Sequence, residues 1–213
     1  MNLILGVDGL KKLLSISTGL GLCLISAVAH AADVDAAMAA AKTKVTTVCQ
    51  NCHGRDGNST SATFPRLNGQ QADYLAAQLK KFRSHSRDDP HAMAYMWGMS
   101  AQLDDASITG IAKYLASRKP TEPQTGGTLA AEGKNIFMNG VDAHNIPPCA
   151  ACHGDHAEGD GEIPRLAGQH ADYLKNQLED FRSLVRKNDI MHGNTKEMTD
   201  HEIESVVSYL ANE

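Results

Sequence analysis

The pentapeptide Cys-x-x-Cys-His occurs twice, as Cys49-Gln50-Asn51-Cys52-His53 and as Cys149-Ala150-Ala151-Cys152-His153, and no other feature limits the fold so strongly. The surrounding chain is one pattern written twice. Pro65-Arg66-Leu67-Asn68-Gly69-Gln70 returns as Pro164-Arg165-Leu166-Ala167-Gly168-Gln169, and Ala72-Asp73-Tyr74-Leu75 as Ala171-Asp172-Tyr173-Leu174. Met96-Trp97-Gly98 matches Met191-His192-Gly193, and Tyr114-Leu115-Ala116 matches Tyr209-Leu210-Ala211. The order is the same in both halves and the spacing is about 100 residues, which means a duplicated domain and not a solenoid of short repeats. Pro120-Thr121-Glu122-Pro123-Gln124-Thr125-Gly126-Gly127 has a linker's composition. We therefore expect a targeting segment over 1–31, a first domain over 32–120, a linker at 121–128 and a second domain over 129–213.

The periodicity within each half is helical. Tyr74, Leu75, Leu79 and Phe82 recur at helix spacing, as do Tyr173, Leu174, Leu178 and Phe181. Leu103-Asp104-Asp105 reads as a helix start with an aspartate N-cap, and Thr199-Asp200-His201-Glu202 as its copy. No segment alternates like a strand, so an all-α fold is expected. Aromatic residues make up only 5% of the chain and Trp97 is the single tryptophan. Two domains of this size would have thin cores unless a cofactor completed them.

Lys11 and Lys12 precede an apolar run from Leu13 to Val28, followed by Ala29-His30-Ala31. That is the layout of a cleavable signal peptide, with the mature chain starting near Ala32 and exported to the periplasm. The run is shorter than the ~20 residues of a membrane span. Cys23 would leave with the signal. In an oxidising compartment the remaining four cysteines would suggest disulfides, but each pair is followed at once by a histidine.

That spacing has its own chemistry. Two thiols within one helical turn can both add to the vinyl groups of one haem, and the adjacent histidine then falls beneath the iron. We assign Cys49, Cys52, Cys149 and Cys152 to two covalently bound haem c groups, with His53 and His153 as proximal ligands. A zinc site is disfavoured because the pairs lie in separate repeats, and a thioredoxin-like pair lacks its βαβ setting. For the sixth position, Met93, Met96, Met99, Met191 and Met198 are available. Met96 and Met191 occupy matching places in the repeat, seven residues before Leu103 and Met198. Met93 and Met99 align with Asn188 and Asn194. We expect Met96 and Met191 to be ligands, with His85, His91 and His192 as bis-histidine rivals. Pro65 and Pro164 are expected to offer the carbonyls that orient the proximal histidines.

With these residues in place, the chain resembles the cytochrome c4 family of dihaem class I cytochromes c. The likeness rests on both Cys-x-x-Cys-His-Gly motifs, on Phe64-Pro65-Arg66-Leu67-x-Gly69-Gln70 and its copy, and on Met-x-Gly followed by the final helix start. It implies two tandem cytochrome c-type domains, each wrapped around one covalently bound haem, packed face to face with the haems close enough to exchange electrons. It also implies a periplasmic carrier, sometimes membrane-associated. Its partners would be redox proteins: an upstream donor such as a quinol-oxidising complex, and a terminal oxidase as acceptor. Three departures stand out. Met198 replaces a leucine. The approach to Cys49 lacks the glycine and aromatic found before Cys149, which leaves the packing of the first helix open. The segment from Phe82 to Met96 is four residues longer than that from Phe181 to Met191.

Residues 32–120 carry 11 basic and 8 acidic residues, whereas 121–213 carry 7 and 16. A basic first half and an acidic second half would orient the molecule, with Lys80, Lys81, Arg83 and Arg87 facing an acidic partner or an anionic membrane. Nucleic acid is excluded as a partner for an exported acidic chain. Three functions fit the motifs to different degrees. An electron carrier with no substrate turnover, and so not an enzyme, fits best. A dihaem cytochrome subunit of an oxidoreductase complex, such as a flavocytochrome or dehydrogenase, is the alternative. A dihaem peroxidase would need an open iron site, which matched methionines argue against.

Overall fold

The structure, a computed structural model, describes residues 36–122 and 127–213. The expected signal segment with Cys23, and the centre of the expected linker, lie outside the described residues. Among the described residues nine α-helices follow in order: α1 (residues 36–53), α2 (Ala72–Arg83), α3 (residues 90–100), α4 (Asp105–Ala116), α5 (Ala130–Asn139), α6 (Ala150–His153), α7 (Ala171–Arg182), α8 (Asp189–Thr195) and α9 (Asp200–Leu210). Extended pairing among the described residues is confined to the isolated bridges Val141–Ile146 and Asp160–Ile163. The all-α expectation holds. No described helix is long and apolar enough to cross a membrane.

The expected helix starts are present. The Asp104 carboxylate accepts from Ser107 N–H at 2.7 Å and opens α4. Thr199 and Glu202 form a reciprocal capping box at the start of α9. Each half then builds its own small core. In the first, Ala41 and Val45 of α1 meet Ile108, Ile111, Ala112 and Leu115 of α4, with Leu75 and Leu103 beside them. In the second, Ile136 and Phe137 of α5 meet Ile203, Val206, Val207 and Leu210 of α9. Met198 is buried in this core, so it does here what Leu103 does in the first half.

The packing of the first helix has a specific solution. In the second half the close approach of α5 and α9 depends on Gly133, where an added Cβ would lie 1.8 Å from the Ser205 carbonyl oxygen. In the first half the glycine stands on the opposite partner: a Cβ on Gly110 of α4 would lie 3.1 Å from the Ala41 Cβ of α1. Both crossings use one glycine, placed on different helices. α1 also runs unbroken into its cysteine motif through one wide turn, Val45–Cys49, whereas α5 ends at Gly140 and a loop leads to α6.

The two halves meet through the repeated block. The Gln70 amide accepts Arg165 N–H at 2.7 Å and donates to Arg165 C=O at 2.8 Å. Gln169 does the same with Arg66, at 2.8 Å and 2.9 Å. Both glutamines are buried. The Arg66 guanidinium also donates to the Gly168 carbonyl, and the Gln71 amide donates to Glu158 and Gly159 carbonyls across the same seam. The interface is thus built with approximate twofold symmetry from the duplicated sequence.

Candidate functional site

Each Cys-x-x-Cys-His motif ends a helix. Residues 50–53 and 150–153 form one helical turn that stops at Gly54 and Gly154, whose φ values are 74° and 82°. At Gly54 a Cβ would lie 2.3 Å from the Asn58 carbonyl oxygen, so the exit from the motif requires glycine. Within each turn, one cysteine is half-buried and the other exposed, and none of the four is in a disulfide. Burial raises the thiol pKa of Cys49 and pushes that of Cys149 up to about 11. A neutral sulfur suits these positions, and a thioether to haem is neutral.

The histidines beside them are buried. His53 Nδ1 lies 2.9 Å from the Pro65 carbonyl oxygen, and His153 Nδ1 lies 3.1 Å from that of Pro164. Burial lowers both pKa values, against the opposing pull of those carbonyl bonds. The rings are therefore neutral, with Nδ1–H donating to the proline carbonyl. Nε2 keeps its lone pair for a metal. This bears out the expectation for Pro65 and Pro164. Arg66 and Arg165, each directly following one of these prolines, lie at the interface between the halves.

Met96 and Met191 are both half-buried. Met93 and Met99 are turned outward, at 47% and 60% exposure, and Met198 is in the core. Two hydroxyls that the repeat alone does not single out secure the backbone here. Ser100 Oγ donates to the Met96 carbonyl and Thr195 Oγ1 to that of Met191, each at 2.8 Å. Both are buried and four residues beyond the methionine, a spacing visible only once the helix is known. The rival histidines are otherwise engaged. His192 Nδ1 pairs with the Phe181 carbonyl at 3.0 Å, His85 stacks on Trp97 at 4.0 Å, and His91 lies near Tyr95.

The sites differ in detail. In the first, Phe64 touches His53 edge-on at 6.0 Å and Tyr95 at 5.3 Å, so an aromatic pair links the histidine and methionine sides. Ile163 and Ile190 stand at the matching places in the second. α3 also carries a wide turn, Ala92–Met96, absent from α8. Of the four basic residues expected to face a partner, two are committed internally. Arg83 braces Leu103 C=O and Asp105, and Arg87 is buried between the halves. Lys80 and Lys81 alone of that set are exposed.

The donor set fits haem c in both halves: paired thiols within a helical turn and an adjacent imidazole with a free Nε2. The family described as Cytochrome c matches residues 38–119 and again 130–213. A cytochrome c-552 from Acidithiobacillus ferridurans is 40% identical over 193 residues, covering 89% of this chain and 84% of the relative. A thiosulfate dehydrogenase electron acceptor from Stutzerimonas stutzeri is 39% identical, covering 77% and 78%. The solved cytochrome c4 of Acidithiobacillus ferrooxidans superposes with a TM-score of 0.74 at 39% identity, covering 77% of this chain and 98% of that one. Two tandem domains, two haem motifs and these likenesses agree: the chain belongs to the cytochrome c family, among the dihaem cytochromes c4.

Proposed function

We propose that this dihaem electron carrier works in the periplasm, with Cys49, Cys52, Cys149 and Cys152 as the thioether attachments. His53 and Met96 would be the axial ligands of the first iron, and His153 and Met191 those of the second. The observation that carries the reading is the pair of like sites, each with a carbonyl-oriented buried histidine and a half-buried methionine whose backbone a hydroxyl secures. The haems supply one-electron Fe(III)/Fe(II) chemistry, and two protein ligands per iron leave no position for oxygen or peroxide. The protein's part is to keep ligands and surroundings fixed through the electron cycle. Pro65 and Pro164 fix imidazole orientation, Ser100 and Thr195 hold the methionine turns, and the Gln70 and Gln169 clamps press together the two loops whose carbonyls orient the histidines. That last contact supports transfer between the haems within one molecule.

An upstream quinol-oxidising complex and a terminal oxidase are the proposed donor and acceptor. The likeness to a thiosulfate dehydrogenase electron acceptor favours a second reading, in which a dehydrogenase is the dedicated donor. Optical spectra of the exported protein with pyridine haemochrome quantification test the site. Two haems per chain and a full-strength far-red methionine–iron band in the ferric state are expected. One haem, or a half-strength band, would overturn the assignment of at least one site.

A further inference from the structure

Between the halves lies a buried polar cluster that the ligand sets do not use. Arg87 donates to Gln78 Oε1 and to Gln177 Oε1, each at 3.0 Å, so it bonds one glutamine from each domain. Arg186, its counterpart, reaches Gln177 at 2.5 Å, Gln78 at 3.1 Å and the Tyr74 hydroxyl at 3.2 Å. The guanidiniums sit over Phe82 and Phe181 respectively, at 4.8 Å and 4.6 Å from the ring centres. Apart from the Tyr74 bond, the cluster is symmetric up to this point.

The symmetry breaks two residues after each arginine, at Asp89 and Asn188. Both side chains cap the helix that carries the sixth ligand, and both make the same bond. Asp89 Oδ1 accepts Ala92 N–H at 3.1 Å, and Asn188 Oδ1 accepts Met191 N–H at 2.9 Å. The difference is one formal charge. Asp89 is fully buried, with its other oxygen 2.8 Å from Arg87 Nε. Burial pushes its carboxyl up, but Arg87, the Ala92 N–H and Arg186 outweigh that and hold it below the usual range, so it is ionised at neutral pH. Asp180, near the cluster from the second domain, is pushed up by burial and by Asp89, and its side chain caps neither methionine helix.

We infer that Asp89 is a potential-setting residue for the first haem, and that the Asp89/Asn188 difference adds a difference of charge to the electronic environments of the two sites. This rests on Met96 and Met191 being the sixth ligands. A fixed negative charge at the head of the Met96 helix favours Fe(III) over Fe(II) and lowers the first haem's midpoint. The neighbouring Arg87 offsets part of that field, but Arg186 stands two residues before Asn188 in the same way, so the sites still differ by one charge, and that charge acts in a dry setting. Two unit charges interact several times more strongly inside a protein than in water. The domains' overall charges run the other way, with the first half net basic, but exposed charges beyond about 8 Å are largely screened at physiological salt. Proximity and burial therefore outrank the domain totals.

The test uses the chain's own alternative. Asn and Asp cap helices about equally well, so Asp89→Asn and Asn188→Asp preserve the bond and change the charge. Redox titration of the haem-loaded full chain, with each axial methionine methyl signal followed by NMR, assigns a midpoint to each haem. D89N is expected to raise the first haem's midpoint and leave the second's less affected. N188D is expected to lower the second's, and the double variant to show both shifts. An unmoved or lowered first midpoint in D89N, a shift confined to the second haem, or loss of the Met96 signal in D89N would overturn the inference. A methionine signal already missing in the unaltered protein would instead sink the ligand assignment, while both midpoints could still be read by their optical bands.

Discussion

Gln70 and Gln169 show how much one residue type can carry when it is placed twice. Each amide supplies both a donor and an acceptor to the backbone of an arginine in the other half, and each pair is closed to water. Replacing Gln70 by leucine keeps the volume but leaves the N–H and C=O of Arg165 unpaired. A buried unsatisfied backbone group costs about 1–3 kcal/mol, so Q70L should lower the stability of the haem-loaded chain by about 2 kcal/mol in denaturant unfolding. Q169L should cost a similar amount. Because Arg165 adjoins Pro164, Q70L should also disturb the second haem's spectrum more than the first. An unaltered unfolding midpoint would mean that water or a neighbour replaces the amide. The residues proposed to hold the haems were legible from the motif and the repeat, because covalent attachment demands a rigid spacing. Gln70 was visible as part of the repeat but not as a clamp, since the partner of a buried amide lies 95 residues away. Arg87 misleads for a related reason: a basic residue in a polar loop reads as surface, and only the meeting of two domains buries it.

At the scale of elements, the two copies solve one packing problem with different residues. The first and last helices of each domain must cross closely, and a glycine on either one permits it. Helical periodicity locates these elements well, because apolar spacing is a property of a single segment. It says little about crossings, where an isolated glycine within a helical pattern looks like a tolerated defect. The wide turns at Val45–Cys49 and Ala92–Met96 were illegible for the same reason: one extra residue in a turn leaves the apolar stripe nearly unchanged. The glycines yield unequal predictions. In Gly133→Ala the new Cβ would meet the Ser205 carbonyl, a backbone atom that cannot rotate away, and the crossing must open. Overpacking of this kind costs about 3 kcal/mol, enough to threaten a thin-cored domain. In Gly110→Ala the contact with Ala41 is tight but slight. The ~1 kcal/mol gain in helix propensity opposes it, so the net change should stay within about 1 kcal/mol. Urea titration of the two haem-loaded variants compares them directly, and equal losses would refute the argument.

The whole molecule combines near-symmetry in its architecture with asymmetry in its charge. The backbone clamps and histidine carbonyls repeat faithfully, whereas Asp89 and Asn188, Phe64 and Ile163, and the totals of the two halves do not. A carrier with two like haems has no direction of its own; differences in field and surface give it one. The basic half offers less free charge than its sequence suggests. Arg83 and Arg87 are tied into the fold, and Lys80 and Lys81 on α2 remain as the accessible pair of that cluster. Steering by such charges acts on encounter rates and fades with salt. Reversing them in Lys80→Glu/Lys81→Glu should slow oxidation of the ferrous protein by hexacyanoferrate(III) by about tenfold at low ionic strength, and flatten the fall in rate as salt is added. The effect should fall mainly on the first haem, because α2 belongs to its domain and the second half is net acidic. Midpoint potentials should hardly move, since both lysines are exposed and their fields are screened within about 8 Å. The variant thus separates docking from tuning: charges at the surface set how fast electrons pass to a partner, and the buried charge at Asp89 sets where they rest. Stopped-flow rates across a salt series decide it. If the double variant keeps both the rate and the salt slope, the first domain's basic face does not guide anionic partners.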